Sequence, residues 1–135
     1  MKKILKLLMA FALLLATAAS LHAAPTLAII NKAKAIVEEA RYQLPTQING
    51  MTLTQVSFDS KTNSLVYRWY MPIEMEKPSA EMIKERKQAI VHLIKGNPDI
   101  EDSQLIKGGI SFWYNYYNPD GTFLYAVKVT PADIR

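Results

Sequence analysis

Between Ile110 and Thr130 the chain places two strongly β-favouring runs, ISFWYNYY and TFLYAVKVT, on either side of Asn118-Pro119-Asp120-Gly121. Asn at the first position, Pro at the second and Gly at the fourth favour a type I turn, so the runs read as a hairpin. Two loop lengths compete. Pairing Tyr117 with Phe123 mixes Ile110, Phe112, Tyr114 and Tyr116 with Leu124, Ala126, Lys128 and Thr130. A four-residue loop pairs Tyr117 with Thr122 and groups the first set with Phe123, Tyr125, Val127 and Val129. A one-residue slip sends every side chain to the other face, so the arrangement that segregates apolar from polar residues is the one predicted. A sheet with one such apolar face must be covered by another layer.

The rest of the chain supplies that layer. From Pro25-Thr26 onward, Ile29/Ile30, Ala33, Ile36/Val37, Ala40 and Leu44 recur at helical spacing, with Lys32, Lys34, Glu38, Glu39 and Arg41 mostly elsewhere. Thr26 can cap this helix and Pro45 stops it. Met51 to Phe58 and Leu65 to Met71 flank the polar hexamer DSKTNS and read as a second hairpin. Pro72 and Pro78 bracket a linker, and Ser79 caps a second helix to Lys95, with rows Ile83, Ile90, Ile94 and Met82, Ala89, Leu93. Gly96 and Asn97-Pro98 end it, and Pro98 to Lys107 reads as adding a helical turn.

The order helix, hairpin, helix, hairpin predicts an α+β two-layer sandwich over residues 25–135. Its sheet would have four antiparallel strands, with both helices on one face in αββαββ order. Leu53, Leu65, Tyr67, Trp69 and Met71 join the second hairpin's apolar row beneath the helices.

Ahead of this domain, Lys2, Lys3 and Lys6 precede the uncharged run LLMAFALLLATAA and then small residues. That is the order of a secretory signal peptide over residues 1–24, cut near Ala23 or Ala24. The run is too short to span the roughly 30 Å of a bilayer core. Removing these three lysines from 16 basic groups leaves 13 against 12 acidic ones, a net charge of +1 rather than +4. Bulk-charge binding to nucleic acid is thereby excluded. With no cysteine there is no disulfide, no thiolate metal site and no lipid-bearing cysteine, so the expectation is a soluble periplasmic or secreted protein without a membrane anchor after cleavage.

Chemistry-bearing constellations are sparse. His92 stands alone inside the second helix, and no His-x-x-x-His pair exists. Asp99, Glu101 and Asp102 lack the loop of an EF-hand and read as capping or solvated charge. Glu74, Glu76 and Glu81 lie around the linker prolines and read as surface charge. No phosphate loop, G-x-S-x-G or dinucleotide fingerprint is present. No catalytic residue, metal or cofactor is expected.

What remains is the sheet face away from the helices, predicted to show Val66, Arg68, Tyr70, Trp113, Asn115, Tyr117, Leu124, Ala126 and Lys128. Trp and Tyr beside Arg and Lys is the composition enriched at recognition hot spots. Arg68, Tyr70, Trp113, Asn115, Tyr117 and Lys128 are therefore the candidate partner-binding residues, against the plainer reading of a decorated, solvated sheet. The partner would be a protein, or an envelope glycan stacked on the rings.

The motifs Met51-Thr-Leu-Thr-Gln-Val56, Leu65-Val-Tyr-Arg-Trp-Tyr70 and Gly109-Ile-Ser-Phe-Trp-Tyr-Asn-Tyr116, with Asp120-Gly121 and Val127-Lys-Val-Thr-Pro131, cover most of the domain. This pattern resembles small uncharacterised exported bacterial α+β proteins that end in YxY…DG…VxVTP. The resemblance implies fold and location and carries no function. Such proteins often have a cysteine pair near the second helix and C-terminus, which this chain lacks. Three functional readings follow: a non-enzymatic binding module, for instance an inhibitor or immunity-type partner of an envelope protein; a structural accessory of an envelope or secretion assembly; or a small carboxylate-based hydrolase.

Overall fold

The computed structural model describes residues 24–135. The leader expected over residues 1–24 lies, apart from Ala24, outside the described residues. Helix α1 (Leu27–Arg41) starts where Thr26 Oγ1 accepts the Ile29 N–H at 3.3 Å. Its predicted stripe turns inward: Ala33 is fully buried, and Ile29, Ile36, Val37 and Ala40 pack on the core. A short strand follows, β1 (Thr46–Ile48), then β2 (Met51–Asp59) and β3 (Ser64–Tyr70). Asn49 and Gly50 join β1 to β2 with φ of 53° and 81°. Two positive φ values in a two-residue loop are what an Asn-Gly hairpin turn provides.

Helix α2 (Ala80–Lys95) is capped by Ser79 as predicted, its Oγ accepting the Met82 N–H at 3.2 Å. The expected extra turn is a full helix, α3 (Glu101–Lys107), with Ser103, Leu105 and Ile106 buried. The Ser103 hydroxyl lies 2.9 Å from the Ile94 carbonyl and 2.7 Å from that of Asn97, tying α3 to the end of α2. Strands β4 (Ser111–Tyr117) and β5 (Phe123–Val129) and a 3₁₀ turn (Pro131–Ile134) complete the chain.

The expected four-stranded antiparallel sheet with two helices is corrected on three counts. Among the described residues the sheet has five strands in the order β1-β2-β3-β4-β5, three α-helices cover it, and β3 runs parallel to β4. The long connection from Met71 to Ile110 holds α2 and α3, and a crossover of that size is what a parallel neighbour requires. One layer of helices still lies on one sheet face: residues of all three share a core with Leu65, Phe112, Tyr116, Val127 and Val129. Of the two apolar rows predicted on α2, Ile83, Ile90 and Ile94 pack inward, whereas Met82 and Leu93 are 59% and 63% exposed.

The last hairpin departs from its predicted register. Phe112 pairs with Val129, Tyr114 with Val127 and Tyr116 with Tyr125, two residues from the expected partners but on the predicted face. The ladder then slips, so that Tyr117 meets Phe123 and Leu124 is an extra residue in β5. This bulge reverses two assignments. Leu124, expected outside, is 4% exposed, and it lines a cavity with Tyr125 and with Ile83 and Arg86 of α2. Phe123, expected beneath the helices, is 54% exposed.

Candidate recognition surface

The face away from the helices is assembled by in-register pairing. Across β3 and β4, Val66 lies beside Trp113, Arg68 beside Asn115, and Tyr70 beside Tyr117. Across β4 and β5, Trp113 lies beside Lys128, Asn115 beside Ala126, and Tyr117 beside Phe123. All six candidate partner-binding residues therefore share this face.

They also touch. The Arg68 guanidinium carbon is 4.8 Å from the Tyr117 ring centre, and the Lys128 Nζ is 5.0 Å from that of Trp113. Tyr70 stacks on Tyr117 at 5.5 Å, and Phe123 meets the same ring edge-on at 5.6 Å. Both cations rest on π-faces, each contact contributing about 0.5–1 kcal/mol at an exposed site. Arg68 and Lys128 are exposed, while Tyr70, Trp113 and Tyr117 are half-buried. No acidic residue stands in the rows named here, so the surface is aromatic and cationic. Beside it, Thr52, Gln55, Arg68, Tyr70, Pro72 and Pro119 help line a concavity of about 640 Å³.

Asn118 holds the upper end in place. Its main chain closes the turn, accepting the Gly121 N–H at 2.9 Å and donating to the Thr122 carbonyl at 2.9 Å. Its side chain, 7% exposed, reaches back to the linker: Oδ1 accepts the Met75 N–H at 2.9 Å and Nδ2 donates to the Met75 carbonyl at 3.0 Å. Turn chemistry alone accounts for Asn at this position, so the clamp had no signal in the sequence. Phe123 was missed for a different reason: a bulge is invisible to strict alternation.

The remaining candidates are placed apart from one another. His92 is exposed on α2, and Glu74, Glu76 and Glu81 are all exposed around the linker. Among the described residues no group of three or more His, Cys, Asp or Glu could hold a metal ion. Asp102 departs from the expected solvated cap. It is half-buried at the start of α3, and burial, then the neighbouring Glu101, pushes its carboxyl up from the usual range. Burial, followed by the Asp102 charge, likewise holds the Tyr67 and Tyr114 hydroxyls well above the ordinary phenol. Arg86, exposed on α2, lies 5.6 Å from the Tyr116 ring centre, itself stacked on Tyr125 at 4.5 Å. Among the described residues, no helix is long and apolar enough to cross a membrane.

No family model and no curated protein matches the sequence. Solved structures of similar fold include AspS, the type II secretion system pilotin of Vibrio cholerae, at 13% identity over 78% of this chain and 91% of that one, with a TM-score of 0.51. EpsS, the type 2 secretion system pilotin of Vibrio vulnificus, is 14% identical over 81% and 90%, with a TM-score of 0.51. A Pseudomonas aeruginosa protein described as a candidate secreted protein is 13% identical over 79% and 93%, with a TM-score of 0.55. At these identities the likeness is one of fold.

Proposed function

We propose that this chain is a non-enzymatic accessory of an envelope secretion assembly, delivered by a leader cut near Ala23 or Ala24, and that it works by holding a protein component. The observation that carries this reading is the fold shared with two type II secretion pilotins over 78% and 81% of this chain. The surface that fits the role is the outer sheet face around Arg68, Tyr70, Trp113, Asn115, Tyr117 and Lys128, with Phe123 added. Aromatic rings held flat by neighbouring cations offer rigid contact area that costs little ordering on association.

The test is affinity isolation of the tagged protein from cross-linked envelopes, with wild type and Trp113→Ala in parallel. The reading expects co-isolation with a large membrane-embedded complex, weakened in the variant by about 2 kcal/mol, as for a central hot spot. A small one-to-one complex with a soluble hydrolase would overturn it in favour of an inhibitor. Intact-mass measurement of the exported protein decides the cleavage site.

A further inference from the structure

The sheet stops early on one side. Strand β2 is paired with β3 from Thr52 to Asp59, but on its other edge β1 covers only Met51–Leu53. A bulge at Thr54 ends that row, and among the described residues no backbone bond is made on the outer edge from Thr54 to Asp59. Such an edge is a row of unmet N–H and C=O groups that selects an extended backbone. Its six residues span roughly 20 Å at strand rise.

Helix α1 overhangs this edge and turns it into a trough of about 780 Å³, walled by Val37, Leu44, Val56 and Phe58, with Lys34 and Arg41 at the rim. The core is unfinished here: Val37, Leu44 and Phe58 pack on it yet remain half-buried where the sheet ends. Arg41 is paired with Glu38 at 3.4 Å, while Lys34 has no ion pair among the described residues.

We propose that this edge is a strand-addition site for an extended segment of a protein partner, one that alternates apolar and polar residues and carries an acidic residue toward Lys34. The incoming strand would extend the row that β1 begins. Its apolar side chains would fill the trough between Val37, Leu44 and Phe58, and its polar ones would lie level with Gln55 and Ser57. Main-chain bonds would supply affinity and the alternate pockets would supply specificity. This site is separate from the outer face around Trp113, so failure of either proposal leaves the other standing.

The probe is an eight-residue peptide alternating valine and threonine with one central aspartate, titrated into the purified, isotope-labelled protein and followed by NMR. Saturable shifts confined to Thr54–Asp59 and the facing side of α1, with slowed exchange of alternate amides in β2, are expected. A version with proline at alternate positions should not bind. Lys34→Glu should weaken the aspartate peptide about threefold and strengthen a lysine counterpart by a similar factor, the scale of an exposed ion pair. Lys34 is exposed, so the variant should fold. The proposal is overturned by equal binding of the proline peptide, by shifts centred on Trp113, or by no saturable shift at millimolar peptide. Protection of the same amides by self-association, without peptide, would name a second copy as the occupant and overturn it as well.

Discussion

Asn118→Ala should cost about 2 kcal/mol, at about 1 kcal/mol net for each of the two side-chain hydrogen bonds it removes. Those bonds, at 2.9 and 3.0 Å, join the turn to Met75 in the linker, and the Asn118 side chain making them is nearly enclosed. No further penalty for stranded groups is added, because Met75 is 44% exposed and water can reach its freed N–H and C=O. The turn's own bonds run through the Asn118 main chain and survive the substitution. For a domain of this size the loss corresponds to a fall of about 10 °C in Tm. Urea unfolding followed by tryptophan fluorescence should show a lower midpoint at unchanged slope, since no surface is newly exposed in the native state. Hydrogen exchange at the Met75 amide should accelerate in parallel. Asn118→Asp keeps the acceptor but replaces the donor by a charge facing a carbonyl, and should be no more stable than the alanine variant. A midpoint within about 0.5 kcal/mol of wild type, the range of an ordinary surface substitution, together with a Met75 amide still protected, would refute the clamp.

Phe112→Ala should destabilise by about 3–5 kcal/mol as a core truncation, and its neighbour Trp113→Ala by only about 1–2 kcal/mol, which comparison of the two denaturation midpoints checks. Gly108→Ala should cost about 1–3 kcal/mol by overpacking, because a Cβ there would sit 2.9 Å from two Ile29 side-chain carbons; Ile29→Ala in the same chain should recover part of the loss. Asp102→Asn should stabilise the protein at pH 7. The folded carboxyl binds its proton more readily than the unfolded one, so wild-type stability rises as pH falls from the raised folded value toward about 4, and the variant's advantage shrinks over that window. Asp133 runs the other way. Burial raises its carboxyl, but bonds from Thr130 and Lys87 outweigh that and hold it low, so its contribution is present at neutral pH and lost on acidification through the folded value; Asp133→Asn should flatten the acid limb of the stability curve.

Local signals read well where one interaction decides them. Thr26 and Ser79 cap the helices they were expected to cap, and Phe112, Tyr114, Tyr116, Tyr125, Val127 and Val129 lie on the predicted face. The misses are of two kinds. Asn49-Gly50 is a strong hairpin signal, but the three-residue strand before it is too short for alternation to show β1. The α3 segment shows only a single turn's worth of signal because seven residues carry little periodicity, although Leu105 and Ile106 are wholly buried. Strand direction is the other kind. Nothing within β3 or β4 encodes which way its neighbour runs; that is set by the crossover through α2 and α3, a property of the whole chain. The outer face was legible because side-chain parity survives a change of strand direction. Phe123 and Leu124 were exchanged because parity does not survive a bulge.

Direction nevertheless decides whether that face is a site. With β3 and β4 parallel, Tyr70 stands beside Tyr117 and Arg68 reaches the same ring, while Trp113 sits near the other end of the strand under Lys128. Were β4 reversed against β3, Tyr70 would lie opposite the Ser111 end, roughly 20 Å from Tyr117 at six residues of strand rise. The aromatic residues would be the same, but Tyr70, Arg68 and Tyr117 would no longer form one cluster. The bulge completes the cluster from the other side. It turns Leu124 inward beside Tyr125 and frees Phe123 to meet Tyr117 edge-on. The helices therefore do more than cover the core. By enforcing the crossover they fix which aromatic residues meet on the face they leave bare.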